Sequence, residues 1–455
     1  TFASVASGSR EAGTPQRFSL IPFRSRLVAG DNVLALVGLN SSTASSDLSL
    51  AHALGTIPLV VHAGFELRGD GEYLALTTPR GEPVDEVHVP VQTQDHSYGR
   101  SPDGDGPWHY LLTPTPEAPN RTRTSPTPYA SEVTFDPPAG KHPRALQVSI
   151  AAEPRDQVEV RYTTDGSAPT PASVLYQGPI PVSRNTVLRA AGFIGAERST
   201  RVLSRSYFVG GALALPILSI SMEPADYERV HNDSQASGRT SERACYLEIF
   251  EPGGEPCRAT GCGLRLHGGA GRSGDLNTKK AYKLYFRRAY GDPRLEYPII
   301  PDTAVAEFDK LVLRSGFNDC FRTGGAAAYI RDQLIRDLHR DMGAIASHGS
   351  WYNLYVNMRY RGVYNVVERM DEEFLQSYTQ EPAWDVIKTG NDVLVGENVE
   401  WERLHDLVTQ NDLAQDAPFE QAAAMVDLES FTSYIILNTW AQNHDWPHNN
   451  WYAAR

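Results

Sequence analysis

The sequence predicts a multidomain chain, all-β up to about residue 209 and α+β beyond it. Three observations carry this. At about 150 residues per domain, 455 residues amount to more than one folded unit. From Leu27 to about residue 209, apolar residues come in short runs or alternate with polar ones between Gly, Pro, Asn and Asp signals, the pattern of strands and turns. Helical spacing of apolar residues appears only after residue 212, where it is mixed with strands.

Residues 1–55 read as the end of a β-sandwich: Leu27 and Val28, a Gly30-Asp31-Asn32 turn, the apolar run Val33 to Leu39, then a polar loop from Ser41 leading to another strand. Residues 56–120 are again β, with Tyr73, Leu74 and Leu76 before a Pro79-Arg80-Gly81 turn and Val84, Val87 and Val89 alternating after it. Residues 121–130, rich in Thr, Pro, Ser and Arg, read as a semi-extended linker. In 131–209, Val158, Val160 and Tyr162 alternate and run into the turn Thr164-Asp165-Gly166. The α+β part is 212–455. There, Ala327, Ile330, Leu334, Leu338 and Met342 share one helical face before the stop at Gly343. Trp351 to Val367 reads as a hairpin, Asp371 caps a short helix to Tyr378, and Asp427 caps a longer one to about Asn443.

Composition narrows the function. Hydrophobic residues make up 41% and charged residues 21%, as in globular domains, and the mean hydropathy is −0.38. No apolar run reaches the roughly 18 residues of a spanning helix. With 42 basic and 55 acidic residues the net charge is −13, which opposes a nucleic-acid footprint. The chain opens on Thr1 and closes at Arg455 just after a strand-like stretch, so it reads as a piece of a longer polypeptide. Cys245, Cys257, Cys262 and Cys320 fit unpaired thiols or one hairpin disulfide among the first three; a zinc site would need a second close pair.

Two features carry candidate chemistry. Only six basic residues are Lys, and Lys279, Lys280 and Lys283 fall within five positions, just after the Gly-rich HGGAGRSG (His267 to Gly274). Ammonium groups beside free backbone N–H groups suit phosphate, while a solvated surface hairpin explains the same residues. Asp445 precedes Asn450 by five positions, the spacing of the catalytic Asp and metal-binding Asn of a protein-kinase loop. A loop held by side-chain hydrogen bonds fits that spacing too.

Four stretches resemble known families. GDNVLALVGLNSSTASSDLSL resembles the closing strands of a galactose-binding-like jelly roll, and FELRGDGEYLALTTPRGEPVDEV with DHSYGRSPDGDGPW resembles the later part of an immunoglobulin-like lamin tail domain. VRYTTDGSAPTPASVLYQGPIPVSRNTVLRAAGF resembles the C-terminal β-sandwich of chitobiases and β-hexosaminidases. GLRLHGGAGRSGDLNTKKAYKLYFRRAYGD, IRDQLIRDLHRDMG, LYVNMRYRGVYNVVERMDEEFL and QNHDWPHNNWY resemble the spore coat protein H (CotH) kinase family over about 240 residues.

That last resemblance implies an atypical protein-kinase fold that transfers phosphate from ATP, with Mg2+ or Mn2+, to Ser or Thr of secreted or surface proteins. It implies phosphate contacts from Lys279 or Lys280, Glu368 as partner of that lysine or of metal, and Asp445 as catalytic aspartate. Asn450 would be a metal ligand, and Gly268, Gly269, Gly271 and Arg265 would lie at the nucleotide. Asn357-Met358 stands where the family commonly has Asn-Gly. The family's second metal-binding Asp falls beyond Arg455, so the chain as given is expected to be inactive. The company of these domains implies an extracellular or cell-surface location and attachment to polysaccharide or envelope. Two other readings compete: a non-catalytic envelope or polysaccharide scaffold, with Tyr98, Trp108 and Tyr176 as sugar-stacking rings, and a metal-dependent hydrolase using His444, Asp445 and His448.

Overall fold

The computed structural model describes residues 37–40, 48–52, 61–62, 67 and 71–455, apart from 93–95, 105, 117, 128, 130–131, 154–157, 212–213, 255, 274–278, 318 and 321–326. The chain is multidomain, β-rich at first and α+β at the end. Strands β1 (Val37–Asn40), β2 (Leu48–His52) and β3 (Val61–His62) form an antiparallel sheet. The strand expected at Leu27, the turn at 30–32 and the loop at 41–47 lie outside the described residues. β4 (Glu72–Thr77) and β5 (Pro83–Val89) make a hairpin, and β6 (Ser97–Arg100), β7 (Trp108–Leu111) and β8 (Thr124–Ser125) a three-stranded sheet. The linker expected at 121–130 is therefore part strand: Thr124 and Ser125 pair with Leu111 and Tyr110, and Ser125 is buried. Backbone pairing along an open strand edge outweighs the Pro- and Thr-rich composition here.

A sandwich follows. Its sheets are β10-β17-β15-β12-β13 and β14-β11-β9, from β9 (Glu132–Asp136), β10 (Gly140–His142), β11 (Leu146–Glu153), β12 (Glu159–Thr163), β13 (Val174–Leu175), β14 (Ile180–Val182), β15 (Thr186–Ile194) and β17 (Leu203–Val209), with β16 (Glu197–Arg198) beside β15. Val148 and Ile150 on one sheet meet Val160, Leu188 and Tyr207 on the other, the inward half of each alternating strand. Tyr176 packs against this core, and Trp108 carries the Arg100 guanidinium over its ring and lies parallel to Tyr98, so these rings have protein partners.

Beyond it, β18 (Ile217–Ser221), β19 (Arg243–Phe250), β20 (Pro256–His267), β21 (Ala281–Tyr285), β24 (Lys310–Arg314), β25 (Gly349–Val356) and β26 (Arg359–Glu368) close into a barrel in the order β18-β19-β20-β21-β24-β26-β25. The short β22 (Leu295–Glu296) and β23 (Glu307–Phe308) pair apart from it. Helix α1 (Pro224–Asn232) joins β18 to β19, and α2 (Arg331–Asp341) precedes β25. After α3 (Glu372–Thr379) come β27 (Val386–Lys388), β28 (Asp392–Val395), α4 (Val399–Gln410), α5 (Asp416–Ala423), α6 (Leu428–Trp440) and β29 (Tyr452–Ala454). Asp371 and Asp427 cap α3 and α6, accepting from Phe374 N and Ser430 N.

By packing, the chain divides into one unit of Thr1–Arg265, Tyr285–Arg294 and Asn353–Gly362, and another of Leu266–Leu284, Leu295–Tyr352 and Val363–Arg455. In the first, Asn357 and Met358 form the β25–β26 turn with φ of 47° and 60°. Two positive φ values are what a type I′ hairpin demands, so replacing Asn-Gly by Asn-Met keeps the turn type. Asn357 Oδ1 accepts from Met222 N and its Nδ2 donates to Met222 O, both at 2.9 Å. Gly166, at φ 95°, lies so near that a Cβ would stand 2.2 Å from Asn357 Oδ1. The same unit buries Glu248, whose Oε2 accepts from Ser206 Oγ at 2.6 Å, with Ser219 Oγ 2.8 Å further on.

In the second unit, α2 departs from the sequence reading. The helix begins at Arg331, and Ile330, Leu334 and Met342 are exposed. Its packed side is polar: the amide oxygen of buried Gln333 accepts from Asn365 Nδ2 at 3.0 Å, and Arg336 donates to Asn365 Oδ1 at 2.6 Å. Asp319 fixes the start by accepting from the backbone N–H of Ala328 and Arg331.

Candidate functional site

The second unit holds a broad groove of about 2660 Å³. Along it lie the Gly-rich turn, the exposed faces of β21 and β24, Glu368 at the end of β26, and the loop after α6 with Asp445 and Asn450.

One end is cationic. In β21, Tyr282 and Leu284 are buried, so strand alternation turns Lys283 to the groove. His267, ending β20, sits among Lys283, Arg314, Arg369 and Arg272. Burial first, then these four cations, push its imidazole down to about 2, so it is neutral at every physiological pH. The turn beside it is open: Gly268 takes φ 107°, and a Cβ on Gly269 would meet nothing. Gly271 faces the Phe317 ring instead. Gly274 lies outside the described residues.

Neither Lys279 nor Lys280 lines this groove. Lys279 Nζ donates to Val363 O at 2.6 Å and to Tyr329 OH at 2.5 Å, and stands 4.6 Å from the ring centres of both Tyr329 and Tyr364. Burial pushes this amine down to about 8. Lys280 falls on the same strand side as Tyr282 and is only 4% exposed. Of the lysine cluster it is Lys283 that lines the groove, together with Arg272 and Arg314. The signal was available, since the apolar residues at 282 and 284 mark which lysine of the cluster faces out.

Glu368 also differs from expectation. Its Oε2 accepts from the backbone N–H of His348 at 2.8 Å and lies 3.2 Å from His348 Nδ1, while Oε1 accepts from Tyr378 OH at 2.6 Å. The His348 and Tyr378 rings stack, and Thr303 Oγ1 is 2.6 Å from the Tyr378 hydroxyl. His348 and Tyr378, which hold both of its oxygens, carry no motif that would have announced them. Arg265 pairs with buried Glu242 at 2.6 Å, alongside Arg287, and lies over the Tyr285 ring. It holds that buried carboxylate.

The structure does bring Asp445 and Asn450 together. Asn450, in the left-handed region at φ 62°, donates its amide to Asp445 Oδ2 at 2.5 Å, and Asn449 donates to Oδ1 at 3.2 Å. Both Asp445 and Asn450 are exposed. A carboxylate and an amide carbonyl are hard oxygen donors. They fit a divalent cation such as Mg2+, which takes one or two carboxylates and keeps waters and substrate phosphates. No group of three or more His, Cys, Asp or Glu is placed to hold a metal among the described residues, and His448 Nε2 stands 3.8 Å from Asp445 Oδ1.

Comparison with known families gives two matches. Residues 264–455 match the family described as CotH kinase protein, and residues 137–204 the one described as chitobiase/beta-hexosaminidase C-terminal domain. No curated protein matches the chain.

Proposed function

We propose, from the premise that residues 264–455 are a CotH kinase domain preceded by a chitobiase/hexosaminidase C-terminal domain, that the groove is a phosphoryl-transfer site using ATP. The acceptors in this reading are Ser or Thr hydroxyls of extracellular or envelope proteins. The observation that carries it is one end of the groove, where Lys283 and Arg272 line the wall with Arg314 and Arg369, the last two paired with Asp332 and Asp371, beside an open glycine turn. Cations and free backbone N–H groups together suit a polyphosphate.

Catalysis then consists of positioning and charge neutralisation. The turn at Gly268 and Gly269 lies under the phosphates, and Lys283, Arg272 and Arg314 offset their charge. Asp445 accepts the hydrogen bond of the acceptor hydroxyl and takes its proton as phosphate transfers. Asn450 restrains that carboxylate, and its carbonyl with Asp445 would hold Mg2+ or Mn2+. Such a cation, when bound, neutralises phosphate charge. Tyr378 and His348 keep Glu368 fixed at the groove wall.

A second reading rests on a specific observation. A kinase pairs its phosphate lysine with a glutamate, and here Glu368 is held by His348 and Tyr378. That favours a non-catalytic envelope or polysaccharide scaffold, with 56–120 as a lamin tail-type module. Nucleotide titration separates the two. Saturable ATP binding in MgCl2 that weakens in Lys283→Met, together with labelled phosphate transfer by the natural full-length polypeptide that is lost in Asp445→Ala, supports the kinase. A folded protein that binds no ATP supports the scaffold.

A further inference from the structure

Cys245 and Cys262 stand opposite one another on adjacent strands. They are register partners of β19 and β20, their sulfurs are 3.3 Å apart, and both are buried. All four cysteines are present as thiols, and Cys257 is exposed. Directly opposed residues of an antiparallel pair have Cα atoms about 4.5 to 5.5 Å apart, inside the span of about 4.4 to 6.8 Å that a disulfide bridges.

The register itself is locked by the neighbours of Cys262. A Cβ at Gly261 would stand 1.7 Å from the Tyr290 carbonyl oxygen, and one at Gly263 would stand 2.6 Å from Glu242 Cγ. Only glycine fits at these two positions, so a slip of β20 by one residue would drive the Cys262 side chain into the Tyr290 loop. The strand is thus held where its one side chain between two glycines meets Cys245. Cys257 lies near the far end of β20, where its neighbour Arg258 pairs with Ile249, so it is out of reach of Cys245.

We propose that Cys245 and Cys262 are a cross-strand disulfide site, closed by exchange with a low-molecular-weight disulfide, with Cys257 and Cys320 left as thiols. One thiolate attacks the small disulfide, forming a mixed disulfide and releasing one small thiolate. The second protein thiolate attacks the protein sulfur of that intermediate and expels the other. Two protein thiols are oxidised, one small disulfide is reduced to two thiols, and the two protein protons pass to the leaving groups. The hydrogen bond from Cys245, then burial, hold the Cys262 thiol well above its usual range. Exchange in the closed fold is therefore slow, and the bond forms most readily while the strands assemble. Such a bridge belongs in an oxidising compartment, and this inference stands whether or not the groove binds ATP.

The test counts thiols. The protein is oxidised with glutathione disulfide, both in native buffer and during refolding from urea, then denatured, alkylated with iodoacetamide and weighed. After refolding, two alkylated cysteines, a mass 2 Da below the reduced chain before alkylation, and one linked peptide joining Cys245 to Cys262 are expected; dithiothreitol restores four. The oxidised protein should melt several degrees higher, roughly as a short closed loop allows. Cys262→Ser should alkylate fully at its three remaining cysteines and lose that shift. Four alkylated cysteines in refolded protein with native circular dichroism, or a linked peptide containing Cys257 or Cys320, would overturn the proposal.

Discussion

Tyr378 donates its hydroxyl hydrogen to Glu368 Oε1 at 2.6 Å, so the carboxylate that closes β26 is held by a helix residue ten positions later. Glu368 is 6% exposed, and a buried carboxylate oxygen without its donor is costly. Tyr378→Phe should destabilise the protein by about 1 to 3 kcal/mol. Urea unfolding checks this, and a change near zero would mean that water replaces the hydroxyl.

Lys279 gives a pH signature. Its folded value, pushed down to about 8 by burial, lies below the ordinary 10.5. The folded state binds this proton less readily than the unfolded one, so stability should rise as pH climbs from about 8 towards 10.5. Lys279→Met should flatten that rise in urea midpoints taken between these limits.

Glu248 should behave in the opposite sense. Burial raises its carboxyl from 4.5 to about 7, against the lowering influence of Ser206 and Arg205. A raised acid stabilises the fold below 4.5, and that contribution is lost as pH rises through 7. In Glu248→Gln the loss should vanish, which thermal melts across this window would register.

Lys283→Met should weaken ATP binding by roughly ten- to a hundredfold, the loss of one charge-assisted contact of about 1.5 to 3 kcal/mol. Arg265→Met should leave that affinity unchanged while lowering the melting point, because it strands the buried Glu242 carboxylate. Calorimetric titration and melting of both variants measure this contrast, and equal losses of affinity would refute it.

Much of the fold was legible in local pattern. Period-two alternation marked β12, and Asp371 and Asp427 marked side-chain caps that the structure contains. The errors fell where tertiary contacts overrule pattern. Three residues of the apolar stripe, Ile330, Leu334 and Met342, are exposed, because Gln333 and Arg336 find their partners on Asn365, a pairing no spacing rule encodes. At the site, the five-residue gap between Asp445 and Asn450 sufficed to join them, while the neighbours of Glu368 come from segments 20 residues before and 10 after it. Lysine clustering pointed to this end of the groove, but the reading settled on Lys279 and Lys280 where the strand turns Lys283 to the groove, and Arg314 and Arg369 arrive there through sheet order alone.

The Asn357-Met358 turn bears on where this protein can be cut. The family match opens at residue 264, inside β20, whereas residues 353–356 lie parallel along β18 at 217–220 and Asn357 clasps Met222. A protein severed at 264 would keep the matched sequence and lose that neighbour. The flank of β25 would then present a row of unanswered N–H and C=O groups, a template for self-association. Kinship in sequence and strand pairing thus have different borders here, since β25 finds its neighbour β18 outside the matched stretch.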